Sequence, residues 1–251
     1  MSWRHIVIAA VMLLAGCSKS ADNQLQGWVE ADLIFVSPDE AGRVDMLNVR
    51  EGDTVNKGAA LFTVDPDIQQ ADAASAEAAL VNAQQAYDRA KQLLQAAAGT
   101  QRALDDADAA LRTAQARLNQ ARTRLNRRRM LSPDTGTVQQ IYYRPGETVP
   151  AGRPVLSILP PENLKIRFFA PQGKLQSVKI DDVVAISCDG CEPNLTGKVS
   201  FIAQSAEYTP PVIYTIEERG KLVYLIEARP ARPEKFRVGQ PVTVTLAGQG
   251  K

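Results

Sequence analysis

The chain has 251 residues, with 29 Lys and Arg set against 28 Asp and Glu and a single histidine. A balance that close leaves no basic footprint for nucleic acid, whose binding depends on neutralising phosphates. The histidine is His5, so histidine triads, histidine metal sites and imidazole acid–base chemistry are excluded from the body of the chain, and no Walker-type or dinucleotide-type glycine loop is present to drive a nucleotide engine.

In chain order, residues 1–17 read as an address label. Arg4 is the positive end, Ile6 to Gly16 is apolar, and Leu14-Ala15-Gly16-Cys17 closes the stretch. That run is too short to span a bilayer, which takes about twenty residues. The closing tetrapeptide resembles the bacterial lipobox. The resemblance implies cleavage before Cys17, lipidation of its thiol and a periplasmic location. Residues 18–27 are polar and are expected to be a tether. Without the leader the chain holds 28 residues of each charge and no histidine.

The segments on either side of residues 65–131 repeat one another at an offset of 94. Gly42-Arg43-Val44, Glu51-Gly52-Asp53-Thr54-Val55 and Gly58 align with Gly136-Thr137-Val138, Pro145-Gly146-Glu147-Thr148-Val149 and Gly152. Leu61 to Val64 aligns with Val155 to Ile158, and Ser37-Pro38 with Ser132-Pro133 after a slip of one residue. Short alternating apolar runs between turn glycines predict strands. Residues 28–64 and 132–159 are therefore expected to be two halves of one β-sandwich.

Residues 65–131 read as two helices folded back on each other. Ala73, Ala76, Leu80, Ala83, Tyr87, Ala90, Leu94 and Ala97 form one three-four seam; Leu104, Ala107, Leu111, Ala114, Leu118, Ala121 and Leu125 form another. Gly99 and Thr100 lie between, and Gly99 is the expected left-handed residue at the reversal. The result is an antiparallel coiled-coil hairpin whose arms should be roughly 45 to 50 Å long at about 1.5 Å per residue. Folding it brings Asp65, Asp67, Asp72 and Glu77 near Arg122, Arg124, Arg127, Arg128 and Arg129, so opposite charges meet only in the antiparallel register.

From Pro160 a different module begins, spanning 160–248. Its candidate strands are Leu164 to Ala170, Val183 to Cys188, Lys198 to Ala203, Leu222 to Ala228 and Val242 to Leu246, with a short helix over Gln172 to Val178. Cys188-Asp189-Gly190-Cys191 places a hairpin-turn dipeptide between two cysteines, so a local disulfide is expected in an oxidising compartment. A thioredoxin-like site would need a helix start in a βαβ setting, and a metal site would need more ligands than two cysteines.

The two repeated halves resemble the biotinyl/lipoyl-carrier fold, here split by a hairpin, and that combination is similar to the HlyD-family periplasmic adaptors, or membrane fusion proteins. The resemblance implies an elongated, multidomain, mixed α and β chain: a split lipoyl-like sandwich, an inserted antiparallel hairpin and a C-terminal β-barrel. Phe236 to Val244 resembles the family's closing turn and last barrel strand, whereas its usual glycine before the second barrel strand is replaced by Asp181-Asp182. Adaptors that dock on TolC-type outer-membrane channels carry Arg, Leu four later and Ser seven after that; here these are Arg89, Leu93 and Thr100, the last of which departs from the pattern by keeping the hydroxyl and adding a methyl group, and also suits a helix cap. Ala206-Glu207-Tyr208-Thr209-Pro210, with Arg219 and Leu222-Val223-Tyr224, resembles adaptors of ABC-type exporters; an RND-type pump is the alternative engine.

The resemblance implies a hexameric ring joining an inner-membrane transporter to the channel, with no enzyme activity and no cofactor. Two rivals from other classes are a lipoyl or biotinyl carrier subunit and a structural envelope lipoprotein. The carrier reading lacks its lysine: the turn between the halves is Asp65-Pro66-Asp67, with no lysine between Lys57 and Lys91.

Overall fold

The computed structural model describes residues 23–208 and 222–246. Cys17 and, in the exporter-like stretch, Thr209, Pro210 and Arg219 lie outside them. The fold divides into two compact units, one spanning 33–160 and the other formed by the described residues on either side.

The first strand, β1 (Gln24–Ala31), corrects the expected boundaries. Residues 18–27 are not all tether, and 28–31 do not open the sandwich. Leu25 and Val29 point into the core of the second unit. Gly27 lies so close to the next strand that a Cβ there would overlap the Arg167 carbonyl oxygen and sit 2.8 Å from Phe168 Cβ. Its strand partners are more than a hundred residues away, and no local pattern names them.

The unit 33–160 is built from β2 (Ile34–Val36), β3 (Gly42–Leu47), β4 (Thr54–Val55) and β5 (Ala60–Val64), then, after the hairpin, β6 (Arg129–Leu131), β7 (Gly136–Ile141), β8 (Thr148–Val149) and β9 (Leu156–Leu159). Its two four-stranded sheets run β2-β9-β7-β4 and β6-β5-β3-β8. Each sheet takes strands from both halves, so neither half can close its own core. The internal repeat survives atom by atom: Gly52 N–H donates to the Val138 carbonyl and Gly146 N–H to the Val44 carbonyl, both at 2.8 Å. The two glycines take φ of 92° and 94°. That left-handed region is cheap only without a Cβ, which is why glycine recurs at both sites. Val44, Phe62, Val64, Val138, Leu156 and Ile158 fill the space between the sheets.

The hairpin consists of α1 (Asp67–Gln95) and α2 (Gln101–Asn126). At about 1.5 Å per residue the arms are about 44 and 39 Å, shorter than expected because the reversal, both base connections and the strand β6 take residues of the expected 65–131 span. Every expected seam residue is at least half-buried except Ala97, which lies beyond the end of α1. Arg122 of α2 reaches Glu77 of α1 at 3.1 Å and holds the antiparallel register. Three of the other charges expected across the arms, Asp65, Arg127 and Arg128, pair with the sandwich instead. Asp65 pairs with Arg43 at 3.0 Å and accepts the Asp67 N–H, while Arg127 and Arg128 turn to Asp39 and Glu40 in the β2–β3 loop.

The second unit continues with β10 (Leu164–Pro171), α3 (Gln172–Leu175), β11 (Val183–Ser187), β12 (Leu195–Ile202), β13 (Glu207–Tyr208), β14 (Leu222–Pro230) and β15 (Pro241–Leu246). The antiparallel order β10-β1-β15-β11-β12-β14 closes through β10–β14 pairing into a barrel, and β13 adds to β14. Val29, Ile166, Phe168, Val184, Ile226 and Val244 are buried in it. Before β11, Asp181 adopts φ 74°, the conformation the family's glycine would supply. Its carboxylate meets Lys198 at 3.0 Å, and Asp182 accepts the Lys179 N–H at 2.7 Å. On the strands, Lys165 lies between Asp32 and Glu227 at 3.1 and 3.2 Å.

Candidate functional site

The tip of the hairpin is shaped by backbone hydrogen bonding. Ala98 N–H donates to the Leu93 carbonyl at 2.9 Å and Ala97 N–H to the Leu94 carbonyl at 3.0 Å. With Ala97 at φ 55°, this is a Schellman closure in which Ala97, not Gly99, takes the left-handed position. Gly99 serves differently. A Cβ there would stand 3.0 Å from Leu94 N and 3.1 Å from Leu93 Cβ, so glycine lets the returning chain pass directly against the end of α1.

Of the tip residues, Arg89 and Leu93 are four apart on α1 and share a face. Arg89 is exposed and makes no ion pair among the described residues, and Leu93 is 51% exposed. Leu93 also abuts Gly99, which brings it to the neighbourhood of Thr100. The Thr100 hydroxyl accepts the Ala103 N–H at 3.2 Å and caps α2 while its residue stays exposed. The tip therefore offers a guanidinium, an apolar knob and a capping hydroxyl, a set suited to docking rather than to bond chemistry.

The base of the hairpin holds residues that sequence reasoning missed. Gln69 and Arg128 are among the few buried polar side chains of the described chain. Both bond to Glu40, and Arg128 also donates to the Ala41 carbonyl at 3.2 Å. A trace was legible beforehand: the one-residue slip in the repeat lies in this loop.

Lys57, the nearest lysine to a carrier position, sits in the β4–β5 loop, and its N–H donates to Thr135 Oγ1 at 3.1 Å. Cys188 and Cys191 are joined by a disulfide across a turn with Gly190 at φ 76° and Cα atoms 5.3 Å apart. The adjoining Glu192 meets Lys235 at 2.6 Å and Arg232 at 3.4 Å. The hydrogen bond from Lys235, with its charge and that of Arg232, outweighs desolvation and holds the Glu192 carboxyl below the usual carboxylate range. Among the described residues no group of three His, Cys, Asp or Glu could hold a metal, and no helix is long and apolar enough to cross a membrane.

A sandwich whose halves are parted by a helical hairpin, spanning residues 33–160, is the barrel-sandwich hybrid arrangement of membrane fusion proteins. The chain belongs to the family described as RND MFP, barrel-sandwich hybrid domain, whose model matches residues 33–159. It is 32% identical over 120 residues to a UPF0194 membrane protein of Acidithiobacillus ferridurans, a match covering 47% of this chain and 36% of that protein. The chain thus matches just over a third of that relative's length. Among solved structures, the membrane fusion protein Spr0693 of Streptococcus pneumoniae R6 aligns with a TM-score of 0.71 at 22% identity, covering 90% of this chain and 99% of that one. A MacA-MexA chimeric protein carrying the Pseudomonas aeruginosa MexA α-hairpin domain aligns at 0.71 and 22%, covering 89% and 80%. At those identities the likeness establishes the fold.

Proposed function

We propose that the chain is a periplasmic adaptor, coupling an inner-membrane transporter to an outer-membrane TolC-like channel for efflux or secretion. The observation that carries this reading is the hairpin. It spends 29 and 26 residues on a narrow two-helix seam and ends in a tip that leaves Arg89, Leu93 and Thr100 exposed. A structure of that kind buries little core for its length, so reach is what it supplies. Membership of the membrane fusion family supports the same role.

In this reading the tip meets the channel through Arg89, Leu93 and Thr100, lipid on Cys17 holds the protein on the periplasmic side of the inner membrane, and subunits assemble as a hexameric ring. The contribution is noncovalent. The transporter is ABC-type on the stretch 206–210 with Arg219 and 222–224. The RND-type alternative draws support from the description of the matching family.

Arg89→Ala or Leu93→Ala should lower export at least about tenfold, the effect of losing about 1.4 kcal/mol at a contact, while protein level and membrane attachment persist. Unchanged export in both variants overturns the tip assignment. Crosslinking from the same positions should capture a channel, and co-purification identifies the transporter class. Partners confined to peptidoglycan or other structural proteins would favour the structural-lipoprotein alternative.

A further inference from the structure

We propose that Glu40 is the positioning residue that sets the angle at which the hairpin leaves the sandwich, by tying both helices to the β2–β3 loop at one carboxylate. Its Oε2 accepts from Arg128 Nη2 at 2.9 Å, just past the end of α2, and from Gln69 Nε2 at 3.5 Å, in the first turn of α1. One oxygen of the sandwich thus touches the root of each arm.

The chain's own repeat supplies a control for this assignment. The loop Ser37-Pro38-Asp39-Glu40-Ala41 before β3 corresponds to Ser132-Pro133-Asp134-Thr135 before β7, and the first is longer by one residue. The second loop faces no hairpin, and Thr135 there accepts a backbone N–H from Lys57. Where the hairpin is rooted, the additional residue lets Glu40 and the Ala41 carbonyl both meet the Arg128 guanidinium. The two halves otherwise repeat each other's turns and hydrogen bonds, so the difference falls where the hairpin needs a third attachment.

The hairpin side of the attachment, Arg128 and Gln69, is buried, whereas the Glu40 side chain is 52% exposed. The Arg128 side chain is 10% exposed, and its Nε has no acceptor among the described residues. A buried guanidinium is costly to strand, so removing its carboxylate partner displaces it rather than leaving it in place. Without the tie, the hairpin is held by the two strand-to-helix crossings, β5 to α1 and α2 to β6, by the backbone bonds beside them from Val64 N–H to the Arg128 carbonyl at 2.9 Å and from Asp65 N–H to the Arg43 carbonyl at 2.8 Å, and by exposed pairs such as Arg127–Asp39 at 3.5 Å, which contribute little. Two covalent crossings side by side leave a bending axis between them, and Glu40 blocks it.

The assignment concerns the joint and stands whether or not the tip meets a channel. It is tested on the full chain by pulsed electron spin resonance, with labels at Gln92→Cys near the tip and Gln139→Cys on β7. A second pair at Gln85→Cys and Gln115→Cys lies within the hairpin. Glu40→Ala should at least double the width of the hairpin-to-sandwich distance distribution and leave the within-hairpin distribution unchanged. Glu40→Gln, which keeps an acceptor oxygen, should fall between wild type and alanine. An alanine variant as narrow as wild type overturns the proposal. So does equal broadening of both label pairs, which would mean general loosening and not release of one joint.

Discussion

Replacing Ala97 with glycine should stabilise the hairpin, and replacing Gly99 with alanine should destabilise it. Ala97 closes α1 at φ 55°, where an L-residue with a Cβ is strained by roughly 1–2 kcal/mol. Glycine removes that strain but gives the unfolded chain more freedom, which costs about 0.4–1 kcal/mol. The net expected gain for Ala97→Gly is about 0–1.6 kcal/mol, centred on about 0.8, or a rise in Tm of about 2–3 °C at the centre for a chain of this size. Gly99→Ala gains the entropy but places its Cβ 3.0 Å from Leu94 N and 3.1 Å from Leu93 C, both backbone atoms that cannot swing aside. It should cost about 1–3 kcal/mol, as overpacked sites do. Thermal and urea unfolding followed by helical circular dichroism reads both variants. If Ala97→Gly lowered stability while Gly99→Ala was neutral, neither a left-handed Ala97 nor a close approach at Gly99 would exist, and the Schellman closure at Ala97 would be refuted.

Gly27→Ala should cost about 1–3 kcal/mol in the barrel, because its Cβ would overlap the Arg167 carbonyl oxygen; wild-type urea stability would mean that β1 does not pair with β10. Lys165 is pulled down by burial, but its bonds to Asp32 and Glu227 outweigh that and raise its pKa above the usual lysine value. A raised folded-state pKa adds stability in full below the unfolded lysine value, lost as pH climbs through the folded one. Lys165→Met should therefore reduce the decline of Tm with pH above about 10, where unfolded lysine titrates; parallel curves for the two proteins would contradict this. The Cys188→Ser/Cys191→Ser pair closes only a short loop, so its loss should cost no more than about 2 kcal/mol and leave export nearly intact. Abolished export by a stably folded variant would give the disulfide a functional part.

Much of this chain was legible from residue order, and the reason is periodicity. Three-four seams name a helical hairpin without reference to anything distant, and every seam residue except Ala97 is covered in the fold. A repeat with matched glycines predicts two copies of one turn, because positive φ is set by local sterics. The tip followed in part: Thr100 read equally as a cap and as a contact, and its hydroxyl caps α2.

What sequence alone determined, then, is the set of local elements, their amphipathic faces and the chemistry offered at the tip. Only tertiary structure decided which distant partners those elements take. It placed Gln24–Ala31 in the barrel, exchanged strands between the two sandwich halves, and turned Arg127 and Arg128 from the facing helix to Asp39 and Glu40. Pairing of this kind is non-local. A strand edge or a guanidinium carries no mark of which acceptor will be near it, because proximity is created only when the cores close.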